Sequence, residues 1–401
     1  MALSSSNAVP ADTPPASAGQ SSADLVIVGA GIMGLWAAFE AGKAGLKTVL
    51  IDVQGAGAGA SGGLLGALMP HMPDRWSVKK QFQFDALVSL EARIAELEAI
   101  TGLSAGYRRS GRLIPLPKPH LRDIALRHQA DAETAWKTPT RAFHWNVIDA
   151  PQVAGWVRAE AGAAGFVHDT LAARIFPRGL VAALAAALAT FPNLAFRQGE
   201  GVSAIDAARK RLHFTSGDSL SYGACIVAAG VSAFPLLEAL GPALQKPLGQ
   251  PVKGQAALLA ADVDPGLPVI FLDGLYVVAH EGGHVAIGST SENSFAEAFS
   301  TDAQLDGLVA AARDLVPALA DAPVVERWAG LRPKAIDRDP MVGPHPDHPG
   351  IVALTGGFKV SFGLAHVLAR AAVDAIEGRA MDVPPGFTLE SHLAVAGRNA
   401  P

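Results

Sequence analysis

Apolar positions along the chain follow two periods, and the switches between them mark its elements. Leu25 to Val28 is a continuous, partly β-branched apolar run, the pattern of a strand buried on both faces of a parallel sheet. Glycines follow at 29, 31 and 34, a helix is predicted after them, and Thr48 to Ile51 reads as a second strand that ends at Asp52. The run ACIVAAG around Cys225 predicts another buried strand. Segments 106–117 and 267–290 are extended, β-branched and rich in turn residues, which predicts antiparallel strands and hairpins. Between Asp302 and Leu315, Leu305, Leu308, Val309, Ala312 and Leu315 fall on one helical face. Residues 1–22, rich in Ser, Ala and Pro, carry too little apolar surface to order themselves and read as a flexible tail. No internal repeat is evident.

The first of these patterns carries chemistry. A strand, a glycine turn, a helix and a second strand ending in an acid form the βαβ unit that holds the ADP part of a dinucleotide. Gly29 allows the tight turn, Gly31 keeps side-chain bulk away from a pyrophosphate, and Gly34 lets the helix pack closely on the strand. The helix N-terminus offers free N–H groups and a partial positive charge to the phosphates. Asp52 can accept from the ribose hydroxyls, where an NADP enzyme usually carries a basic residue. FAD or NAD is therefore expected.

Composition narrows the field. A chain of 401 residues, 50% of them hydrophobic, can bury a large core and is expected to form two domains. A net charge of -5 gives no electrostatic footprint for nucleic acid or an acidic membrane, which points to a small-molecule partner. The single cysteine, Cys225, excludes an internal disulfide and any Cys-based zinc or iron–sulfur site, and reads as a small buried hydrophobe. The tail lacks the features of a secretory signal or a transit peptide, and no run reaches the roughly 20 apolar residues of a membrane span. A soluble, cytoplasmic protein is expected. His280 and His284 are assigned to a hairpin, and no metal site is expected.

A second cluster of glycines and small residues, Gly55 to Gly66, separates FAD from NAD. A flavin ring lying further along the same groove needs backbone close to its edge, a demand that an NAD enzyme does not make. Gly59 to Gly63 also matches the GxSxG nucleophile-elbow pattern, but an elbow joins a strand directly to a helix and this segment is a glycine-rich loop.

With that loop the chain resembles the D-amino-acid oxidase and glycine oxidase family of FAD-dependent oxidoreductases, and the resemblance continues in order from residue 23 to about 380. The segments that carry it are GASGGLLGAL, IFPRGLVAALAAAL (175–188), Gly199 to Ile205, YGACIVAAGVSA, PVKGQ, DGLYVVAHEGGHVAIGSTSE, WAGLRPKAIDRDPMVGPH and ALTGGFKVSFGLAH. The implied fold is α/β: a Rossmann-like FAD-binding domain with a central parallel sheet, plus an α+β substrate domain with a mainly antiparallel sheet. The implied division gives 23–95, 165–245 and 325–380 to the FAD domain, 96–164 and 246–324 to the substrate domain, and 381–401 to a C-terminal extension.

The resemblance also implies site residues. FAD contacts are expected from Gly29, Gly31, Ile32, Met33, Gly34 and Asp52, from Ala60, Ser61, Gly62, Leu65 and Gly66 in the second loop, and from Val202, whose backbone amide would lie near adenine. Ala229 and Gly230 at the returning turn, and Arg332, Gly357, Phe358, Lys359 and Val360, complete the set. Arg332 matches the arginine that clamps the substrate carboxylate, for which a guanidinium offers a bidentate fork; the alternative is a structural ion pair with Asp337 or Asp339. Tyr276 matches an active-site tyrosine, or is a core tyrosine. Lys359 falls where a basic group can stabilise an anionic reduced flavin, or is an exposed loop lysine. Leu64 stands where relatives that attach flavin covalently carry a His, and no Cys precedes the final helix, so FAD is expected to be noncovalent. His71 is a further candidate for the site.

The implied activity is oxidation of the C–N bond of an amino acid or secondary amine by hydride transfer to flavin, with oxygen or a quinone or other electron carrier as acceptor. Three alternatives stay open: 2-hydroxy-acid oxidation on the same fold, an FAD module acting on a modified tRNA base, and an FAD-binding protein without turnover.

Overall fold

The computed structural model describes residues 22–397, so the expected tail lies outside the described residues except for Ser22, which opens the first strand. Two eight-stranded sheets organise the chain. The first runs in the order Met341–His345, His348–Thr355, Ser219–Val227, Ser22–Val28, Thr48–Asp52, Leu194–Gln198, with the strands Val202–Asp206 and Arg211–Phe214 attached as a meander. Its central pairings are parallel. Alternation within these strands explains their unbroken apolar runs. Leu25, Ile27, Leu50 and Ile226 point into one core, whereas Val26, Val28, Val49, Ile51 and Cys225 point into another on the opposite face.

Helices Ile32–Lys43, Val78–Thr101, Pro177–Leu188 and Ser361–Ile376 cover the first of these faces. Their ends follow local chemistry. Ser77 caps the long helix by accepting from Lys80 N–H, and Gly102, with φ of 67°, ends it in the left-handed conformation. Pro177 occupies a first-turn position, where its missing N–H costs nothing. On the other face lie Ala233–Glu238 and the C-terminal helix Leu389–Ala396, whose Leu389 and Ala396 are buried. The described part of the expected extension is thus packed onto the first sheet.

The second sheet runs Val324–Ala335, Gly249–Ala260, His284–Gly288, Leu275–His280, Val269–Leu272, Arg112–Pro115, Phe166–Asp169, Trp145–Ile148, with one parallel pair, Val269–Leu272 beside Arg112–Pro115. Two of these strands cross the boundaries expected from sequence. Phe166–Asp169 and Val324–Ala335 pair here, the latter along the length of Gly249–Ala260, although the first strand and all of the second but Val324 fall within segments assigned to the FAD domain. Ala257, Leu259, Val277, Val285 and Ile287 point to one face, where the helix Ala303–Leu315, capped by Asp302, covers them. The opposite face, with Ala256, Val269, Val278 and Ala286, packs on Leu64 of the glycine loop and turns Tyr276 and Trp328 toward the first sheet. No helix among the described residues is long and apolar enough to cross a membrane.

Candidate active site

A cavity of about 880 Å³ lies where that face meets the carboxyl ends of the first sheet's strands. One end is walled by Asp52, Glu200 and Val202, the middle by Gly29, Gly31, Ile32, Met33 and the loop from Gly59 to Gly66, and the other end by Tyr276, Trp328, Arg332 and Gly357 to Val360. Ligands in open α/β sheets bind at such a place because the strand ends and helix N-termini converge there.

The glycine turn works through sterics. Gly29 has φ of +104°, and a Cβ on it would lie 2.5 Å from the Ala228 carbonyl oxygen. A Cβ on Gly34 would lie 1.8 Å from the Gly29 carbonyl oxygen, so the helix sits on the turn at a distance only glycine permits. Gly31 is different: an added Cβ would meet only Ser61 Oγ, at 3.3 Å. Its bareness leaves room in the cavity. Ser61 Oγ accepts from Ile32 N–H at 2.8 Å, so the elbow-like serine holds the helix N-terminus.

Asp52 braces the same region. One carboxylate oxygen accepts from Ala30 N–H at 2.8 Å, and the other accepts from Gln54 and Gly55 N–H, each at 2.8 Å. The second loop is fastened from behind. His280, paired with His284 across a hairpin, faces the Leu64 and Leu65 carbonyl oxygens through Nε2 at 3.1 and 3.2 Å. Burial, with Arg174 adding to it, pushes His280 down to about 4, so at neutral pH it is an uncharged donor. Arg178 donates from Nε to the Gly62 carbonyl at 2.9 Å while forking onto Glu326.

Arg332 stands at the opposite end. Its Nη1 donates to the Thr290 carbonyl at 3.1 Å, and among the described residues no carboxylate lies within ion-pair distance. The alternative expected from sequence, an ion pair with Asp337 or Asp339, is not formed among the described residues; Asp339 pairs with Lys79 instead. Burial lowers the Arg332 guanidinium to about 10, which leaves it a cation at neutral pH. Tyr276 packs on Phe271 with ring centroids 4.7 Å apart and the planes tilted by 41°, and burial raises its phenol, so it remains protonated. Lys359 lies in the turn before the helix Ser361–Ile376; burial and then Arg332 lower its ammonium.

Of the sequence-predicted site residues, all but Gly34 and Gly62 wall the cavity. Those two serve packing, Gly62 because a Cβ would lie 2.7 Å from the Gly57 carbonyl oxygen. His71 also reaches the wall, and burial lowers it. Sequence reasoning missed Arg112, a buried residue of the second sheet that borders the cavity, and the fastening roles of Arg178 and His280. No local signal distinguishes Arg112 from its neighbours Arg108 and Arg109.

Comparison with known proteins decides the family. The model of the FAD dependent oxidoreductase family matches residues 24–374. The chain belongs to that family. Within it, a glycine oxidase of Pseudomonas aeruginosa is 29% identical over 378 residues, covering 90% of this chain and 96% of that protein. Among solved structures, glycine oxidase from Geobacillus kaustophilus matches with a TM-score of 0.81 at 23% identity, over 92% of this chain and 99% of the other. Iminodiacetate oxidase from a Chelativorans species matches with a TM-score of 0.79 at 22% identity, over 91% and 98%. This member of the family has a cavity that fits FAD. It is elongated, bare at Gly31 beside a helix N-terminus, acidic at the Asp52 end and cationic at the other.

Proposed function

We propose that the protein oxidises the C–N bond of a carboxylate-bearing amine or amino acid, with FAD held noncovalently along the cavity from Val202 and Asp52 to Gly357–Val360. Bound FAD supplies a ring that accepts a hydride from the carbon next to nitrogen. The observation that carries the reading is Arg332: a desolvated guanidinium on the cavity wall, with no carboxylate within ion-pair distance among the described residues. Such a group is costly unless a ligand completes it, and a carboxylate matches its fork.

The remaining roles follow from charge. Arg332 fixes the acid group, and the Tyr276 phenol, held protonated, donates a hydrogen bond in the same chamber. Arg332, Lys359 and Arg112 wall this end, whereas the acids on the wall, Asp52 and Glu200, belong to the other. Arg332 and Lys359, which have no carboxylate partner on the wall at this end, lower the proton affinity of a nearby amine, which favours the neutral form that can release a hydride. Lys359 stabilises negative charge near the helix that follows it. The small-molecule chemistry and the single cysteine support a cytoplasmic location.

The test is product analysis. Purified holoprotein is incubated with pools of amino acids, N-substituted amino acids and 2-hydroxy acids, with oxygen or a quinone as acceptor. Release of an oxo acid together with ammonia or a primary amine is expected, matched to the acceptor reduced. Turnover of 2-hydroxy acids alone would replace the reading.

A further inference from the structure

Arg112 opens a strand of the second sheet, opposite Val269, and is 3% exposed. Its Nε donates to Asp169 Oδ2 at 2.5 Å, and its guanidinium lies 5.4 Å from the centre of the Trp145 ring. Asp169, fully buried, spends its other oxygen on the backbone N–H groups of Leu171 and Ala172, at 3.2 and 2.8 Å. The pair is therefore held through one bond rather than a fork, and Arg112 Nη2 is buried with no hydrogen-bond partner among the described residues. Leaving such a buried donor without a partner is costly, and more so for a charged group. An arginine needed only to tie two strands has no reason to carry that cost on the wall of this cavity.

The surroundings say what would satisfy it. Arg112 and Arg332 are on different strands, and Tyr276 lies within electrostatic reach of both guanidinium groups. The wall at this end is cationic through Arg112, Arg332 and Lys359; Asp169 behind the wall offsets Arg112, and among the described residues no carboxylate on the wall at this end offsets the other two. One substrate carboxylate at Arg332 leaves the excess only partly neutralised.

We propose that Arg112 is a specificity-determining residue that receives a second carboxylate, so that the preferred substrates are amino dicarboxylates whose second acid lies on the side chain or on the nitrogen substituent. The proposal rests on the reading that Arg332 holds the first carboxylate.

The test is equilibrium binding to the oxidised holoprotein, read by perturbation of the flavin absorption band and by thermal shift. The probes are linear monocarboxylates from acetate to hexanoate and dicarboxylates from malonate to adipate. One dicarboxylate length is expected to bind at least about tenfold tighter than the monocarboxylate of equal length, the worth of one charge-assisted bond. Arg112→Met is expected to bring that ratio to about one. Arg112→Met/Asp169→Asn, which removes the stranded buried carboxylate, serves if the single variant does not fold. A flat series in the wild-type protein, or a preference that survives in either variant, overturns the proposal. So does a half-amide that binds as tightly as its diacid, since the site would then read a neutral acceptor. Failure of the underlying reading looks different: Arg332→Met would leave monocarboxylate binding unchanged.

Discussion

Replacing Arg332 by methionine should weaken substrate use and at the same time leave the fold intact or make it more stable. The guanidinium donates one bond to the protein, Nη1 to the Thr290 carbonyl, and its other N–H groups are available to a ligand. Two charge-assisted bonds to a carboxylate are worth about 3–5 kcal/mol together, which at about 1.4 kcal/mol per decade is roughly 10²- to 10⁴-fold in kcat/KM. On the stability side, the drop of the guanidinium to about 10 shows that folding disfavours its charged form. Discounted for partial exposure, this amounts to roughly 1–3 kcal/mol at neutral pH, against about 1 kcal/mol lost with the Thr290 bond. Steady-state kinetics with a carboxylate amine, beside denaturant unfolding of the same samples, reads both quantities. Arg332→Lys keeps the charge without the fork and should fall between the two. An unchanged kcat/KM would remove Arg332 from the site, and a loss of several kcal/mol in stability would make it a structural residue.

Other consequences are as specific. Asp52→Ala frees the amides of Ala30, Gln54 and Gly55 and removes the acid at that end of the cavity; FAD should dissociate more readily on dilution, and full occupancy at low FAD would count against the role. His280, held down to about 4 when folded against an ordinary value near 6.5, binds its proton more readily in the unfolded chain. Its contribution is therefore complete above about pH 6.5 and is lost as pH falls through about 4, up to roughly 3 kcal/mol; His280→Gln should flatten that part of the stability profile, measured by urea titration at several pH values. Gly34→Ala and Gly31→Ala should part company, because an added Cβ meets the Gly29 carbonyl at 1.8 Å in one case and Ser61 Oγ at 3.3 Å in the other. The first should fail to yield folded protein, whereas the second should fold and bind FAD more weakly, as flavin content after gel filtration would report.

The parts of this molecule that were legible in the sequence are those fixed by short-range sterics and period. Gly29 and Gly34 occupy positions that other residues cannot, and Leu25 to Val28 must be apolar because both faces are covered. The parallel and antiparallel sheets follow from the same logic. Arg332 was reached through resemblance, not through a local signal. What stayed hidden depends on pairing between distant segments. His280 acts on carbonyls 216 and 215 residues earlier, and Arg112 meets Asp169 across 57 residues. The strand Val324–Ala335 is extended in either domain, and only its register with Gly249–Ala260 places it in the second sheet.

Whether the protein oxidises a C–N bond is read most plainly by anaerobic titration of the flavin absorption band with carboxylate-bearing amines. Stoichiometric bleaching by an amino acid or N-substituted amino acid is expected, lost or greatly slowed in Arg332→Met. Bleaching by 2-hydroxy acids alone, or a flavin band that no such amine reduces, would contradict it.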